Sequence, residues 1–367
     1  MQPLRLGFIG GGLNSAVGYT HFNASRLDGH FRVVAGCFSR DEGPNRATAQ
    51  TYGVAAERTW TSWQELVRGE QGNLDAVVIL TPTPTHADIV LAFLDAGYPV
   101  ICEKALAASS ADCWRIDAKM RETGGYLAVT YNYSGYPMVR ELRRMIRAGV
   151  LGELQQIHIE MPQEGYLRRG AKPQEWRLHD PGIPTVSLDL GVHVHHLVDF
   201  LTDRRQPVSV TGDQASYGPF PGIIDNVYCL ARYQGDLRVM AWWGKTALGH
   251  RNGLRIRVYG RLASAEWYQM EPEILRWADN DGHHYMMDRG SSEALTAREP
   301  RYNRFKAGHP SGFVEAFANL YADIAAELRQ YMEGEEIARD LVFDASDAAR
   351  GMGWLEEVSR AAGTGRR

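Results

Sequence analysis

The sequence predicts two parts of different class. An N-terminal α/β part has a doubly wound parallel sheet, and a C-terminal α+β part has an open, largely antiparallel sheet with helices. Three observations carry this reading. Apolar strand-like runs alternate with helical stretches up to about residue 130, a glycine turn closes the first of those runs, and beyond Gly152 strand-like segments succeed one another across short Gly-, Asp- or Asn-containing turns. Strands separated by helices of about ten to fifteen residues pair in parallel and are covered on both faces, whereas short turns force antiparallel pairing. A length of 367 residues, against about 150 per domain, agrees with two domains, placed at 1–130 and 131–367.

Each element follows from its own residues. Leu4 to Ile9 is a short apolar strand ending in glycines, and a helical stretch runs on through Ala24. Arg32 to Phe38 (RVVAGCF) reads as a second strand, with helical segments at Ala47 to Tyr52 and Trp63 to Arg68. Asp75 to Leu80 (DAVVIL), Pro99 to Lys104 (PVICEK) and Tyr126 to Asn132 (YLAVTYN) supply further strands. Helices His86 to Ala96 and Ser110 to Thr123 separate them. In the second part, strands are expected at Leu154 to Met161, Val208 to Gln214, Val227 to Tyr233, Arg238 to Trp243, Arg255 to Tyr259 and Ala265 to Gln269. Helices are expected at Pro137 to Ala148, Ser187 to Leu201 and Gly312 to Glu333, and the tail Gly363 to Arg367 is expected to fray.

Composition narrows the function. The net charge of −4 offers nucleic acid or an anionic membrane no electrostatic footing. No apolar run approaches the roughly 20 residues needed to span a bilayer, and the first residues lack a signal peptide's basic and apolar regions. Four scattered cysteines without CxxC spacing argue against a zinc site or disulfide framework and suit a reducing compartment, so a cytoplasmic protein is expected.

Gly7 to Gly18 (GFIGGGLNSAVG) is the strongest local signal. Gly10 and Gly12, between a strand and a helix, permit a tight turn and close approach of backbone N–H groups to a pyrophosphate. Gly10, Gly12, Leu13 and Asn14 are therefore candidate dinucleotide contacts in a Rossmann-type unit. Position 15 is serine where a strict GxGxxG has glycine, and Gly18 is available for the packing role after a longer loop. At the tip of the second strand, Ser39 and Arg40 stand where an acid would favour NAD, which leans the cofactor, NAD or NADP, towards NADP. Asp41 is the alternative ribose ligand.

From Leu80 to Leu106 the chain resembles the glucose–fructose oxidoreductase/inositol dehydrogenase family, often called Gfo/Idh/MocA. A TPNxxH-like turn reads Thr81-Pro82-Thr83-Pro84-Thr85-His86, and an EKP-like tripeptide reads Glu103-Lys104-Ala105. The resemblance continues through Trp176-Arg177, the DxGxH at Asp189 to His193, Asp225-Asn226 and GHPSGF at Gly308 to Phe313. It implies that Thr81, Pro82, Thr83, His86, Glu103, Lys104, Trp176 and Arg177 contact the cofactor. One departure is Ala105, where the family has a proline that is frequently cis. A cis bond before a non-proline costs roughly 3 kcal/mol, so a trans bond is expected here. A second is Tyr133, which replaces an arginine in Tyr131-Asn132-Tyr133.

Alcohol oxidation by a nicotinamide needs a hydride acceptor, a base for the hydroxyl proton and a cation near the developing alkoxide. If a helix starts near Ser187, Asp189 and His193 are i and i+4 and share a face. The resemblance matches Asp189 and His193 to the family's D-x-x-x-H pair and Lys104 to its strand-end lysine. His193 is the expected acid/base, Lys104 the alkoxide stabiliser and Asp189 the orienting carboxylate. Lys104, Asn132, Tyr133, Arg168, His193 and His196 are candidate substrate contacts. The long polar segment Met161 to Arg177 suits a lid, an arm onto a neighbouring subunit, or a solvated loop. No metal is expected, since His193 and His195 lie roughly 200° apart on a helix.

The function expected is hydride transfer between a nicotinamide and a secondary hydroxyl or ketone of a sugar, cyclitol or nucleotide-sugar. Two alternatives stay open: an NAD-using glycoside-cleaving enzyme of the same fold, and a non-catalytic cofactor sensor. Lys104, Asp189 and His193 speak against a sensor, which needs no base. An exposed face on an antiparallel sheet favours a homodimer or homotetramer.

Overall fold

The computed structural model describes residues 2–364. It divides into two compact units, Met1–Gly135 with Phe313–Arg350, and Tyr136–Gly312 with Gly351–Arg367. In the first, β1 (Leu4–Gly10), β2 (Phe31–Cys37), β3 (Ala76–Leu80), β4 (Val100–Cys102) and β5 (Leu127–Val129) form a parallel sheet in the order β2-β1-β3-β4-β5. The expected doubly wound class is the one observed. β3, AVVIL, is buried at every position, as a strand covered on both faces must be. The connecting helices are α1 (Gly18–Arg26), α2 (Glu42–Tyr52), α3 (Trp63–Gly69), α4 (His86–Asp95) and α5 (Ser110–Thr123). The Ser62 and Ser109 hydroxyls accept from the backbone N–H groups of Glu65 and Asp112, capping α3 and α5. Gly53 and Gly124 end α2 and α5 in left-handed conformation.

Residues 313–350 return to this first unit, a step that the linear division at 130/131 does not contain. In the second unit lie α6 (Pro137–Arg147), α7 (Val192–Leu201) and the strands described below, whereas α8 (Phe313–Glu333) carries Phe317, Leu320, Tyr321, Ile324 and Leu328 on one stripe. That stripe is buried with Leu4, Leu6, Phe8 and Phe31. Helical spacing thus creates an apolar face, and the sheet supplies what covers it. Arg339 and Tyr126 meet Glu327 at 3.3 and 3.4 Å. Burial pushes the Glu327 carboxyl up to about 7, against the pull of Arg339. A raised acid stabilises the fold below its ordinary value of 4.5, and that stabilisation is lost as the pH climbs through about 7. Glu327→Gln should therefore match the wild-type melting temperature at pH 5 and exceed it at pH 8. The expected gain is about 1–3 kcal/mol, read by calorimetry at both pH values.

The second unit is built on an eight-stranded sheet, in the order β13-β12-β11-β10-β6-β9-β8-β7. Its strands are β6 (Leu154–Pro162), β7 (Pro207–Ala215), β8 (Asn226–Tyr233), β9 (Arg238–Gly244), β10 (Arg255–Gly260), β11 (Ala263–Tyr268), β12 (Leu275–Asp279) and β13 (His284–Met287). All adjacent pairs are antiparallel except β6–β9, which is parallel. In β8 the inward Val227, Cys229, Ala231 and Tyr233 alternate with the outward Tyr228, Leu230 and Arg232. Three elements were absent from the sequence reading: β12, β13 and α9 (Ala345–Thr364). Gly363 lies in the last turn of α9, and of the tail expected to fray Gly365, Arg366 and Arg367 lie outside the described residues.

The helix expected from Ser187 starts differently. Ser187–Gly191 forms one π-helical turn, and α7 follows from Val192. The turn is packed at both ends: Trp243 donates its indole N–H to Ser187 Oγ at 3.0 Å, and a Cβ on Gly191 would lie 3.0 Å from Trp243 and 2.9 Å from Leu355. Such widened turns are frequent at functional sites.

Candidate active site

The glycine turn fits a dinucleotide on its own geometry. Gly10 and Gly11 have φ of +79° and +73°, which side chains rarely adopt. A Cβ on Gly12 would lie 3.0 Å from the Phe38 carbonyl, and one on Gly18 only 2.1 Å from that of Gly11. Gly18 thus lets α1 close onto the turn. The Leu13 N–H donates to Thr48 Oγ1 at 3.2 Å, and Leu13 and Asn14 are exposed beyond it. At the tip of β2, Asn45 Oδ1 accepts from the Phe38 and Ser39 N–H groups. Ser39 Oγ accepts from the Asp41 N–H at 3.2 Å, and Arg40 is exposed.

After β3, Thr81 and Pro82 lead into a 3₁₀ turn, Thr83–Thr85, and Thr83 is buried. The buried His86 ring bridges two carbonyls, that of Ala105 through Nδ1 at 2.8 Å and that of Thr81 through Nε2 at 2.6 Å. Burial lowers its pKa. The Lys104–Ala105 peptide bond is cis, which corrects the trans expectation drawn from Ala105. Ala105 is fully buried, and its carbonyl is held by His86, a contact that local sequence energetics do not include.

Glu103, at the end of β4, is buried in a network that sequence reading missed. Its Oε1 meets His21 Nε2 at 3.2 Å and accepts from Thr130 Oγ1 at 2.6 Å, while His21 Nδ1 meets the Tyr321 hydroxyl at 2.7 Å. Burial raises the Glu103 carboxyl, but His21, Lys104 and Thr130 together outweigh it and hold it below its ordinary value. Lys104 itself is half-buried. Asn132 and Tyr133 are both buried, in the 3₁₀ turn Asn132–Gly135.

In the second unit, the π turn presents Asp189. Its Oδ2 takes two cations, Arg177 Nη1 at 2.8 Å and the Lys245 ammonium. The Arg177 guanidinium lies 4.4 Å from the Trp176 ring, and the Lys245 nitrogen 5.2 Å from that of Tyr166. Thr185 Oγ1 donates to the Arg177 carbonyl, and Asp180 accepts from the Thr185 and Ile224 N–H groups. Asp225 accepts from the N–H groups of Tyr217 and Gly218. Burial pushes the Tyr166 hydroxyl up to about 12, with Asp189, Asp180 and Asp225 adding to it against Arg177.

His193 is buried in the first turn of α7. His195 faces α9: its Nδ1 would be 3.0 Å from a Cβ on Gly351, its ring is 5.3 Å from that of Trp354, and Asp199 lies 3.8 Å from Nε2. His196 packs on Phe200, and burial, then the charges of His195, Arg204 and Arg143, lower its pKa well below the ordinary value. Arg168 is exposed, 3.5 Å from Glu164. The structure thus joins Asp189 and Arg177 in one cluster and adds Lys245, for which a lone lysine after a strand gives no sequence signal. His309 is exposed, ahead of α8. Among the described residues, no helix is long and apolar enough to cross a membrane.

Residues 4–131 match the oxidoreductase family with an NAD-binding Rossmann fold, and residues 139–266 the GFO/IDH/MocA C-terminal domain. The uncharacterized oxidoreductase YfiI of Bacillus subtilis (strain 168) is 31% identical, over 99% of this chain and 96% of its own. The inositol 2-dehydrogenase of Rhizobium meliloti (strain 1021) is 25% identical, over 92% of this chain and 91% of its own. The inositol dehydrogenase homolog of Azotobacter vinelandii, solved with NADH and myo-inositol, superposes with a TM-score of 0.91. It is 28% identical, and the match covers 99% of this chain and 96% of that one. Because that relative holds NADH, the lean of Ser39 and Arg40 towards NADP finds no support. With a nucleotide-binding turn built as such turns must be, and both family domains matched in order, the chain belongs to the GFO/IDH/MocA family of NAD-binding oxidoreductases.

Proposed function

We propose that this protein is an NAD-dependent dehydrogenase or reductase moving hydride between the nicotinamide and a secondary hydroxyl or ketone of a polyhydroxylated ring, a cyclitol first and a sugar second. The observation that carries it is the carboxylate of Asp189, held by two cations on the turn that leads into His193. Gly10, Gly12, Leu13, Asn14, Ser39, Arg40, Thr81, Pro82, Thr83 and Glu103 would hold the dinucleotide. When bound, it supplies the hydride acceptor. His193 takes the hydroxyl proton at its imidazole and returns it in the reverse direction. Lys104 stabilises negative charge on the reacting oxygen, and Asp189 fixes the geometry around His193.

The cyclitol class is favoured by the inositol 2-dehydrogenase among the relatives and by the myo-inositol complex of the Azotobacter vinelandii homolog. The test is a panel of cyclitols, sugars, nucleotide-sugars and glycosides, each with NAD and with NADP, followed at the nicotinamide absorbance band. A cyclitol with NAD should give net NADH. Silence of the whole panel with both cofactors overturns the reading, and glycoside cleavage without net NADH replaces it with the elimination chemistry of the alternative. We also propose a homodimer or homotetramer assembled on the outer sheet face. There Tyr228, Leu230 and Met240 are exposed and Tyr228 lies parallel to Trp242 at 6.2 Å. Light scattering giving the mass of a single chain would remove this part.

A further inference from the structure

We propose that Lys245 is a positioning residue of this same reaction, acting through Asp189; the inference rests on the function proposed above. Lys245 follows the end of β9 and is 8% exposed, with its ammonium on Asp189 Oδ2. Arg177 holds the same oxygen, so the carboxylate cannot turn about its Cβ–Cγ bond without breaking two ion pairs at once.

The backbone of Lys245 is hydrogen-bonded through both its N–H and its carbonyl. Its own N–H donates to the Asp225 carbonyl at 2.9 Å, and its carbonyl accepts from the Tyr166 N–H at 2.9 Å. The neighbouring acids are engaged elsewhere: Asp180 by the N–H groups of Thr185 and Ile224, Asp225 by those of Tyr217 and Gly218. Asp189 is thus the carboxylate to which Lys245 is directed.

Stability does not account for a second cation. Arg177 already neutralises Asp189, and burying a further ammonium costs several kcal/mol of hydration, which an ion pair at best returns. A neutral residue filling the space would serve folding as well. What the ammonium adds is a second point of fixation, tying the π turn that carries Asp189 to the sheet across 56 residues of sequence. Holding a group to within a fraction of an ångström is what a proton-transfer site requires of its supporting residues.

The test is a double-mutant cycle on the full chain, with NAD and the substrate found by the panel. Asp189→Asn should lower kcat about 100-fold. Lys245→Met should lower kcat about 10- to 100-fold with little change in KM or in NAD affinity by calorimetry, and Lys245→Arg should recover it to within about threefold. The Asp189→Asn/Lys245→Met double variant should fall no more than about twofold below Asp189→Asn alone, because a residue acting through another is silent once that other is gone. A purely structural lysine would lower the melting temperature of Lys245→Met and leave the kcat of the folded enzyme unchanged, and a lysine acting independently of Asp189 would give kcat losses that multiply in the double variant; either result overturns the proposal. An unchanged kcat in Asp189→Asn sinks the proposed function instead, so the two failures are told apart.

Discussion

Replacing His193 with alanine should lower kcat by roughly 10²–10⁴ and leave NAD affinity nearly unchanged, the usual loss when a positioned acid–base group is removed. His193 lies in the first turn of α7, four residues after Asp189, whereas the dinucleotide turn belongs to the other unit. In the proposed reaction, loss of the imidazole removes the proton acceptor and leaves the residues of the glycine turn themselves unchanged. His195 is the internal control. It packs against the Gly351 and Trp354 region of α9 and lies near Asp199, so His195→Ala should cost about 1–3 kcal/mol of stability and little turnover. Equal losses of kcat in the two variants, measured on folded protein, would remove His193 as the base.

Lys104→Met should lower turnover by roughly 10²–10³ while the fold survives, the range for loss of one group that stabilises a developing oxyanion. Methionine keeps the length and apolar stem of lysine and removes only the charge. Lys104 is half-buried and follows Glu103, whose carboxylate is engaged by His21 and Thr130. Were Lys104 merely an ion-pair partner near the surface, the substitution would cost at most about 1 kcal/mol of stability and leave turnover intact. Melting temperature and kcat, measured together on one preparation, separate the two. An unchanged kcat takes Lys104 out of the reaction whatever the melting temperature does.

What the sequence determined by itself is what neighbouring residues impose on one another. The unbroken apolar run of β3 predicts a strand covered on both faces, which is found, and the short turns beyond Gly152 predict antiparallel pairing, which holds for every neighbouring pair of the second sheet except β6–β9. Glycines 10, 12 and 18 announce a backbone turn in which a Cβ would meet other backbone atoms at 3.0 Å or closer, because close approach is written in the absence of a side chain. The family motifs are also local, and their order carries the family. Tertiary structure decided the rest. α8 was legible as a helix but not as a part of the first unit, since its stripe says only that it must be covered and not by what. The π turn is contacted by Trp243, which donates to Ser187 Oγ, and the peptide bond after Lys104 lies where His86 holds the next carbonyl. Lys245 reaches Asp189 from 56 residues away, and no periodicity records an ion pair formed only once a sheet has closed. Local steric and hydrophobic rules act within a few residues and survive in the unfolded chain, whereas the choice of partner for a buried charge exists only after folding has removed the water that competed for it.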